Sequence, residues 1–594
     1  MTHTKKSGVR GRLFLWWLKH YRFRQFILLL SFVCGLAGGL IAVLLKNTVH
    51  VVNHFLTHQF QIDNANIWYL AYPFLGILLT VIFIRLFIKE DISHGVSHIL
   101  HAISRRKSLL KPHNTHSSLI GSVFTVGFGG SVGLEAPIVL TGASIGSNIG
   151  RFFRMSYKNN TLLIGCGAAG ALAGIFNAPI AAVVFSLEVL MLDLTMWSII
   201  PLLISSVTGA LVANFLMGEY VIFSFTLQEK IFLDNIHWYI ALGILSGLVS
   251  LYVIRAALFF EDKLHAIRDP YFKVLIGGLI LGLLIFFFPP LYGEGYDTLK
   301  ILLHGNIEAL SQGSIFYNIS DVTGFLFIYM ALILVFKVIA MAVTNGSGGV
   351  GGVFAPALFM GGVLGFLFAS LLNQLEGVHV APENFALVGM SGIMAGVMHA
   401  PLTGIFLIAE ITGGYELFIP LIVTSTVSFL TIHYFEPNSI YTRRLAKRGE
   451  LITHHKDKAV LTLMEMENVI ENNFMILKPE YTLGELVKVI KKSRRNVFPV
   501  VDDDNHMVGI LTLNDLRDIM FDPELYNKIK VNDIMYFPET YVSYYDSLEE
   551  IVNKIEATGR FNVPVLKDGK YLGFISRAKV FSMYRRMIKD FSEE

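Results

Sequence analysis

The sequence predicts a polytopic α-helical membrane protein made of two related halves, followed by a soluble α/β tail. Of the 594 residues, 53% are hydrophobic and only 16% are charged, whereas an average soluble protein has about 25% charged residues. The charge is unevenly distributed, since 11% of the residues up to 450 are charged, against 30% from 451 onward. A duplicated set of glycine-rich motifs in the apolar part is the third observation.

The chain begins with a basic arm, residues 1–25, which contains lysines and arginines and no acid. An uncharged apolar run from Phe26 to Leu45 follows, and about 20 such residues suffice to cross a bilayer. Because basic segments stay on the cytoplasmic side, we expect both termini in the cytoplasm and the protein in the plasma (inner) membrane. The net charge of +3 does not favour a nucleic-acid partner.

Further apolar stretches extend to about residue 435. They lie near 67–88, 161–191, 198–217, 238–258, 273–292, 324–344, 353–373, 385–411 and 417–435. Two more segments, near 117–126 and 138–150, are too short to span the membrane alone. Short segments interrupted by glycine and proline are typical of broken helices around a buried binding site.

The apolar part contains an internal repeat. Glycine, alanine and proline residues within 127–146 recur within 346–365 at a constant offset of 219. A second set within 167–188, which ends in a glutamate, recurs within 389–410 at an offset of 222. Both sets occur in the same order, so we interpret them as two related membrane halves, an architecture common among transporters.

The repeated strings GSVGLEAP (130–137) and GVGGVFAP (349–356) each end in a proline that suits the first turn of a helix. A helix N-terminus carries partial positive charge and free N–H groups, so it binds an anion without a lysine. Glycines that merely allow close helix packing are the alternative. The presence of two strings in register favours an anion-binding site.

These motifs resemble those of the CLC family of chloride channels and chloride/proton antiporters. GLEAP at Gly133–Pro137 resembles the family's GxEGP element, and GVFAP at Gly352–Pro356 resembles its GxFxP element. FNAP at Phe176–Pro179 also occurs in the family. Tyr441 stands where the family has a pore tyrosine, shortly after the last membrane helix.

The resemblance implies the architecture as well as the activity. We expect a pore domain over 26–450 with two inverted-topology repeats, roughly 26–230 and 231–450. It implies a transporter of chloride rather than an enzyme. It also implies a homodimer in which each subunit has its own pathway through the lipid bilayer.

Glu135 is the only acid between Ser117 and Arg151, and acids inside membrane segments are usually functional. A carboxylate beside a helix N-terminus competes with chloride for the same N–H groups, and protonation weakens its hold. By resemblance, Glu135 is the external gating glutamate. Stabilisation of a helix start is the simpler alternative, worth about 0.3–1 kcal/mol.

The remaining anion contacts are also implied by the resemblance. The backbone N–H groups of Val353 and Phe354 and the hydroxyl of Tyr441 are expected to contact chloride. We add the backbone of Gly133 and Leu134, which directly precede Glu135.

The sequence departs from the family at the inner end of the pathway. The family's GSGIP element aligns best with SHGVS at 93–97, so His94 replaces the serine that contacts chloride, and Ser93 is the other candidate. Imidazole donates one N–H when neutral and two when protonated. The pair His94 and His98 has helical metal-ligand spacing, but no carboxylate motif supports a metal site.

A second departure concerns proton coupling. In proton-coupled relatives, two adjacent glutamates end the helix after FNAP, and the second relays protons from inside. Here the aligned pair is Glu188 and Val189. Valine does not carry a proton, so we expect a channel-like protein, with a proton-coupled chloride antiporter as the alternative.

The tail resembles a tandem pair of CBS domains, at 466–523 and 530–588, which bind adenine nucleotides such as ATP or AMP in some proteins. Thr512 and Asp515 match the usual phosphate and ribose contacts, and Ser576 matches the phosphate contact of the second copy. A dimerisation module without a ligand is the alternative.

One further class of function remains open from the residues alone, a divalent-cation transporter regulated by CBS domains. Cation pores need rings of acids or carbonyl groups. The motifs here place helix N-termini at the pathway instead, which favours an anion.

Overall fold

The computed structural model divides into two compact units, Met1–Leu451 and Ile452–Glu594. The structure describes residues 23–58, 66–90, 92, 95–105, 108–191, 196–218, 235–317, 323–447, 464, 466–559 and 561–592. Most of the predicted basic arm lies outside these residues.

The described part of the first unit is built from helices. They are α1 (Phe23–Thr57), α2 (Trp68–Phe83), α3 (Gly95–Arg105), α4 (Ser117–Gly127), α5 (Glu135–Phe152), α6 (Tyr157–Phe176), α7 (Pro179–Glu188), α8 (Met196–Met217), α9 (Ile236–His265), α10 (Pro270–Phe287), α11 (Tyr296–Leu303), α12 (Thr323–Gly346), α13 (Phe354–Leu372), α14 (Pro382–Met398), α15 (Pro401–Ile411), α16 (Phe418–Phe435) and α17 (Arg443–Lys447). Nine helical segments among the described residues are long and apolar enough to cross a membrane. The predicted polytopic helical protein is therefore confirmed.

Two of the apolar stretches each contain a pair of helices. Asn177 between α6 and α7 and His399 between α14 and α15 are left-handed, with φ of 56° and 55°. Such a residue ends a helix, and the proline that follows two residues later opens the next one. The stretches 161–191 and 385–411 are broken at these equivalent positions, so the repeat extends to backbone conformation.

The two glycine strings pair with each other in antiparallel fashion. The amide of Gly133 donates to the carbonyl oxygen of Gly352 at 3.0 Å, and the amide of Gly352 donates to the carbonyl oxygen of Gly133 at 2.7 Å. This reciprocal bridge relates the two repeats by an approximate twofold axis and holds the start of α5 beside the start of α13.

A second reciprocal pair of hydrogen bonds flanks the bridge. The amide of Val350 donates to Oγ1 of Thr125 at 3.0 Å, and the amide of Ser131 donates to Oγ1 of Thr344 at 3.3 Å. Thr125 and Thr344 are equivalent residues at the 219-residue offset. Each repeat therefore fixes the glycine string of the other.

The two repeats also cap each other's helices. Glu188, at the end of α7, accepts hydrogen bonds from the amides of Leu402 and Thr403 at the start of α15, at 3.0 and 2.8 Å. Glu410, near the end of α15, accepts the corresponding amides at the start of α7 at 3.0 and 2.8 Å. A carboxylate at a helix N-terminus satisfies otherwise unpaired N–H groups and complements the helix dipole.

The soluble unit is an α/β structure, as the tail sequence predicts. Its elements are α18 (Met466–Val469), β1 (Ile470–Glu471), α19 (Leu483–Lys492), β2 (Val497–Val501), β3 (Met507–Thr512), α20 (Leu513–Leu516), α21 (Val531–Ile534), β4 (Val542–Ser543), α22 (Leu548–Thr558), β5 (Asn562–Lys567), β6 (Lys570–Ser576) and α23 (Arg577–Ser592). The sheets have the orders β1-β6-β5-β4 and β2-β3. The repeated strings therefore form two equivalent antiparallel hairpins, β2-β3 and β5-β6.

The exchanged helix caps generate a prediction about stability. Replacement of Glu410 by alanine leaves the amides of Ile180 and Ala181 without their acceptor. We expect the free energy of unfolding to fall by about 1–2 kcal/mol, measured by unfolding of the purified protein in detergent. Glu416→Ala, which removes an exposed acid five residues from α15, is the control. An equal loss in both variants would contradict the capping role.

Candidate anion pathway

The N-termini of α5 and α13 meet at the glycine bridge. A Cβ atom on Gly133 would lie 2.9 Å from the Cβ of Ala355 in α13, and one on Gly352 would lie 3.0 Å from the nitrogen of Ala136 in α5. Only residues without a side chain allow this approach. The partial positive charges and free N–H groups of two helix ends are thereby brought to one point.

Glu135 lies at this point and is only 3% exposed. Its Oε1 accepts a hydrogen bond of 2.9 Å from the hydroxyl of Tyr296, the first residue of α11. Its Oε2 is buried with no hydrogen-bond partner of normal geometry among the described residues, although the amides of Glu135 itself and of Ala355 interact with the carboxyl group. Oε2 also lies 1.9 Å from where a Cβ on Gly133 would be.

The carboxylate therefore occupies the space between the two helix starts. A small anion bound by both helices would occupy the same space. The position of Glu135 fits the competition that the sequence predicts. Helix stabilisation alone does not account for a carboxylate oxygen held against the opposite repeat.

The two residues before Glu135 use their amides in other contacts. The amide of Gly133 donates to Gly352 in the glycine bridge, and the amide of Leu134 donates to Oε1 of Glu294 at 3.1 Å. Both were expected to contact the anion. In this structure the Gly133 amide is bonded to a backbone carbonyl oxygen, and the Leu134 amide is bonded to a second carboxylate, that of Glu294.

The second helix start leads into a cavity. Val353, Tyr441 and residues 95–97 are among its lining residues. Val353 and Phe354 stand at the first turn of α13, where amides have no acceptor within the helix. Tyr441 is 7% exposed. Ala136, which directly follows Glu135, lines this cavity together with Val353 and Tyr441.

The inner end of the pathway is only partly described. Ser93 and His94 lie outside the described residues. Ser97, which replaces the family's proline, donates from its hydroxyl to the carbonyl oxygen of Tyr441 at 3.0 Å. This contact ties the loop after the predicted inner site to the pore tyrosine. Within the described ranges, no group of three or more His, Cys, Asp or Glu residues is arranged to hold a metal ion.

Val189 is buried at 4% exposure, directly after α7. Its neighbour Glu188 is engaged in the helix cap of the other repeat. The position at which the sequence predicts the loss of a proton relay is therefore a buried apolar side chain.

The sequence analysis missed four residues around the pathway: Glu261, Glu294, Tyr296 and Lys337. Lys337 is fully buried in α12 and donates to the carbonyl oxygens of Leu291 at 3.4 Å and Gly293 at 3.0 Å. A lone lysine in an apolar run is a detectable signal. Glu294 and Tyr296 lie in a polar-looking connection and give no such signal. Glu261, 5% exposed in α9, lines the same cavity as Tyr441.

In the soluble unit, the predicted nucleotide contacts bind other protein groups. The amide and hydroxyl of Thr512 donate to Oδ2 of Asp515 at 2.8 and 2.6 Å, as a helix cap. The hydroxyl of Ser576 donates to Glu471, which also pairs with Arg495. Partial burial raises the pKa of Glu471, but its hydrogen bonds with Ser576 and Arg495 outweigh burial and leave the pKa below its usual value. A phosphate at Ser576 would have to displace this carboxylate.

Known proteins are similar to this chain in sequence and in fold. The protein-family model described as "Voltage gated chloride channel" matches residues 76–433, and the CBS domain model matches 466–522 and 531–585. The putative chloride channel protein ClcB-like of Ralstonia nicotianae is 29% identical over 436 residues, which are 71% of this chain and 97% of the relative.

Two further proteins are similar to this chain over most of their own lengths. The H(+)/Cl(-) exchange transporter ClcA of Yersinia pseudotuberculosis is 29% identical over 493 residues, which are 80% of this chain and 99% of the relative. The crystal structure of a slow cyanobacterial Cl-/H+ antiporter has a TM-score of 0.62 at 24% identity, covering 71% of this chain and 97% of that one.

The broken helices, the paired repeats and the carboxylate between helix starts define a membrane protein for anion transport. The predicted CLC fold and the CBS tail are confirmed by these matches. The chain belongs to the family of voltage-gated chloride channels, the CLC family, and its tail contains two CBS domains.

The contact between Tyr296 and Glu135 can be tested directly. Tyr296→Phe removes a hydrogen bond to a charged group, which is worth about 1.5–3 kcal/mol. We expect Glu135 to leave its position more often, so that chloride efflux from liposomes at neutral pH rises by about tenfold. Tyr292→Phe is the matched control, because the buried hydroxyl of Tyr292 has no hydrogen-bond partner among the described residues. The same increase in both variants would contradict the role of Tyr296.

Proposed function

We propose that the protein conducts chloride and similar monovalent anions across the membrane, with Glu135 as the gate. The observation that carries this proposal is the buried carboxylate between the starts of α5 and α13. Partial charges of backbone dipoles attract a small anion without a full cation that would hold it too tightly.

The gate follows from competition for one position. Ionised Glu135 occupies the space between the two helix starts and excludes a second negative charge. Protonation removes its charge and its attraction to the N–H groups. The side chain then yields this space to chloride. Transport is therefore expected to increase as the pH falls.

We favour a channel-like mechanism because of Val189 and Glu188. A proton that enters from the inner side needs a titratable group near the end of α7. Val189 offers none, and the carboxylate of Glu188 already caps the N-terminus of α15. Proton transfer through Glu188 would weaken the contact between the repeats.

Proton-coupled exchange is the second candidate, and one observation favours it. Glu261 brings a carboxyl group to the cavity that Tyr441 and Val353 line. A carboxyl group there supplies a proton acceptor, whereas Val189 supplies none. Similar proteins are also named H(+)/Cl(-) exchange transporters.

The assembly follows the same proposal. We place one pathway in each subunit of a homodimer, since residues of a single chain surround Glu135 from both repeats. Both termini and the CBS domains belong on the cytoplasmic side of the plasma (inner) membrane, as the basic arm predicts.

The decisive measurement is simultaneous recording of chloride and pH in liposomes that contain the purified protein. A channel dissipates a chloride gradient without moving protons uphill. Uphill proton movement driven by chloride would favour the exchanger, and its loss in Glu261→Gln would then identify the inner acceptor.

Glu135→Gln is expected to raise chloride flux at neutral pH and reduce its increase on acidification. An unchanged pH response would contradict the gating role.

We further propose that adenine nucleotides bind the CBS pair weakly or not at all. The contacts of Thr512 with Asp515 and of Ser576 with Glu471 already satisfy the predicted ligand groups. Calorimetric titration of the full-length protein with ATP and with AMP is expected to give no saturable binding. Binding that is abolished by Asp515→Ala, but retained in the exposed control Asp518→Ala, would contradict this proposal.

A further inference from the structure

A second carboxylate lies beside the gate. Oε1 of Glu294 accepts the amide of Leu134 at 3.1 Å. Leu134 directly precedes α5, so this amide belongs to the helix start that the sequence assigns to an anion. A carboxylate oxygen from a distant loop occupies that donor instead.

The loop that carries Glu294 is firmly held. The amide of Gly293 donates to the carbonyl oxygen of Gly129 at 3.1 Å, and Lys337 donates to the carbonyl oxygen of Gly293 at 3.0 Å. Gly295 has a φ of 93°, and a Cβ there would lie 2.4 Å from the ring of Phe359. These contacts fix the position of the loop and hold the carboxylate of Glu294 at the amide of Leu134.

Four titratable groups from four helices face Glu294. They are Lys46 of α1, Glu135 of α5, Tyr296 of α11 and Lys337 of α12. The two lysines favour an ionised Glu294, whereas the negative charge of Glu135 opposes it. Two carboxylates and two lysines therefore share one site, in which Glu135 and Lys337 are buried and Lys46 and Glu294 are partly exposed.

We propose that Glu294 is a second gating carboxylate, which when ionised occupies the amide of Leu134 and when protonated releases it to the passing anion. This inference rests on the proposed anion transport and adds a second protonation to gate opening. Glu135 occupies the space between the starts of α5 and α13, and Glu294 occupies the Leu134 amide at the start of α5. Lys337 acts as a positioning residue because it holds the loop.

The test compares the pH dependence of chloride efflux in liposomes. Glu294→Gln keeps the shape of the side chain but not its charge. We expect about a tenfold higher flux at neutral pH, since the Leu134 amide keeps only a weaker hydrogen bond to a neutral oxygen, and a shallower activation by acid, with one proton instead of two. Asp297→Asn is the matched control. It removes one negative charge three residues away, from a side chain that is 97% exposed and pairs with Lys300 at 3.5 Å.

A second variant separates charge from reach. Glu294→Asp keeps the negative charge but is shorter by one methylene group, so it no longer reaches Leu134. We expect flux at neutral pH to rise in this variant too, and acid activation to become shallower as in Glu294→Gln, because the aspartate no longer occupies the Leu134 amide. An unchanged or lower flux in Glu294→Gln, beside an active wild type, would overturn the second gate.

Chloride binding provides a readout that does not depend on transport. In calorimetric titration with sodium chloride, Glu294→Gln is expected to bind chloride more tightly than the wild type, because a neutral amide oxygen competes less strongly than a carboxylate for the Leu134 N–H. Equal affinity in the two proteins would overturn the inference even if the wild type transports no chloride. Absence of chloride flux in every protein, with tighter binding in Glu294→Gln, would instead reject the proposed transport alone.

Discussion

The exchange of two hydrogen bonds between Gly133 and Gly352 fixes the distance between the starts of α5 and α13. Because both residues lack a side chain, the backbone of one repeat touches the helix start of the other. Every feature of the pathway depends on this contact. If it were looser, the N–H groups of the two helices would not converge, and the carboxylate of Glu135 would face only one of them.

The electrostatic design places full positive charge beside the pathway rather than in it. Backbone dipoles face the space that Glu135 occupies, whereas Lys337 is turned toward carbonyl oxygens of the neighbouring loop. A lysine in contact with a chloride ion would bind it strongly and slow its release. Lys337 instead holds the loop that carries Glu294, the acid proposed as the second gate. Attraction for the anion and control of access are thus assigned to different groups.

Much of the fold was predictable from the sequence because its determinants are local or repeated. The two glycine strings, the prolines after Asn177 and His399 and the apolar spans could all be recognised, and Glu135 was conspicuous as a lone acid. Glu294 was not, since its partner Leu134 lies 160 residues away. The reciprocal helix caps made by Glu188 and Glu410 could not be predicted either. The repeat shows which residues are equivalent, but it does not show which residues are in contact.

The buried Lys337 has a consequence for how the chain enters the membrane. It is the only charged residue of α12, and a lysine at the centre of an inserting helix costs about 2.5–3.5 kcal/mol. Its carbonyl acceptors at Leu291 and Gly293 precede α12 in the sequence, so the ribosome makes them first. They are already present when α12 leaves the translocation machinery. The order of synthesis therefore makes the lysine's partners available before the lysine itself is made.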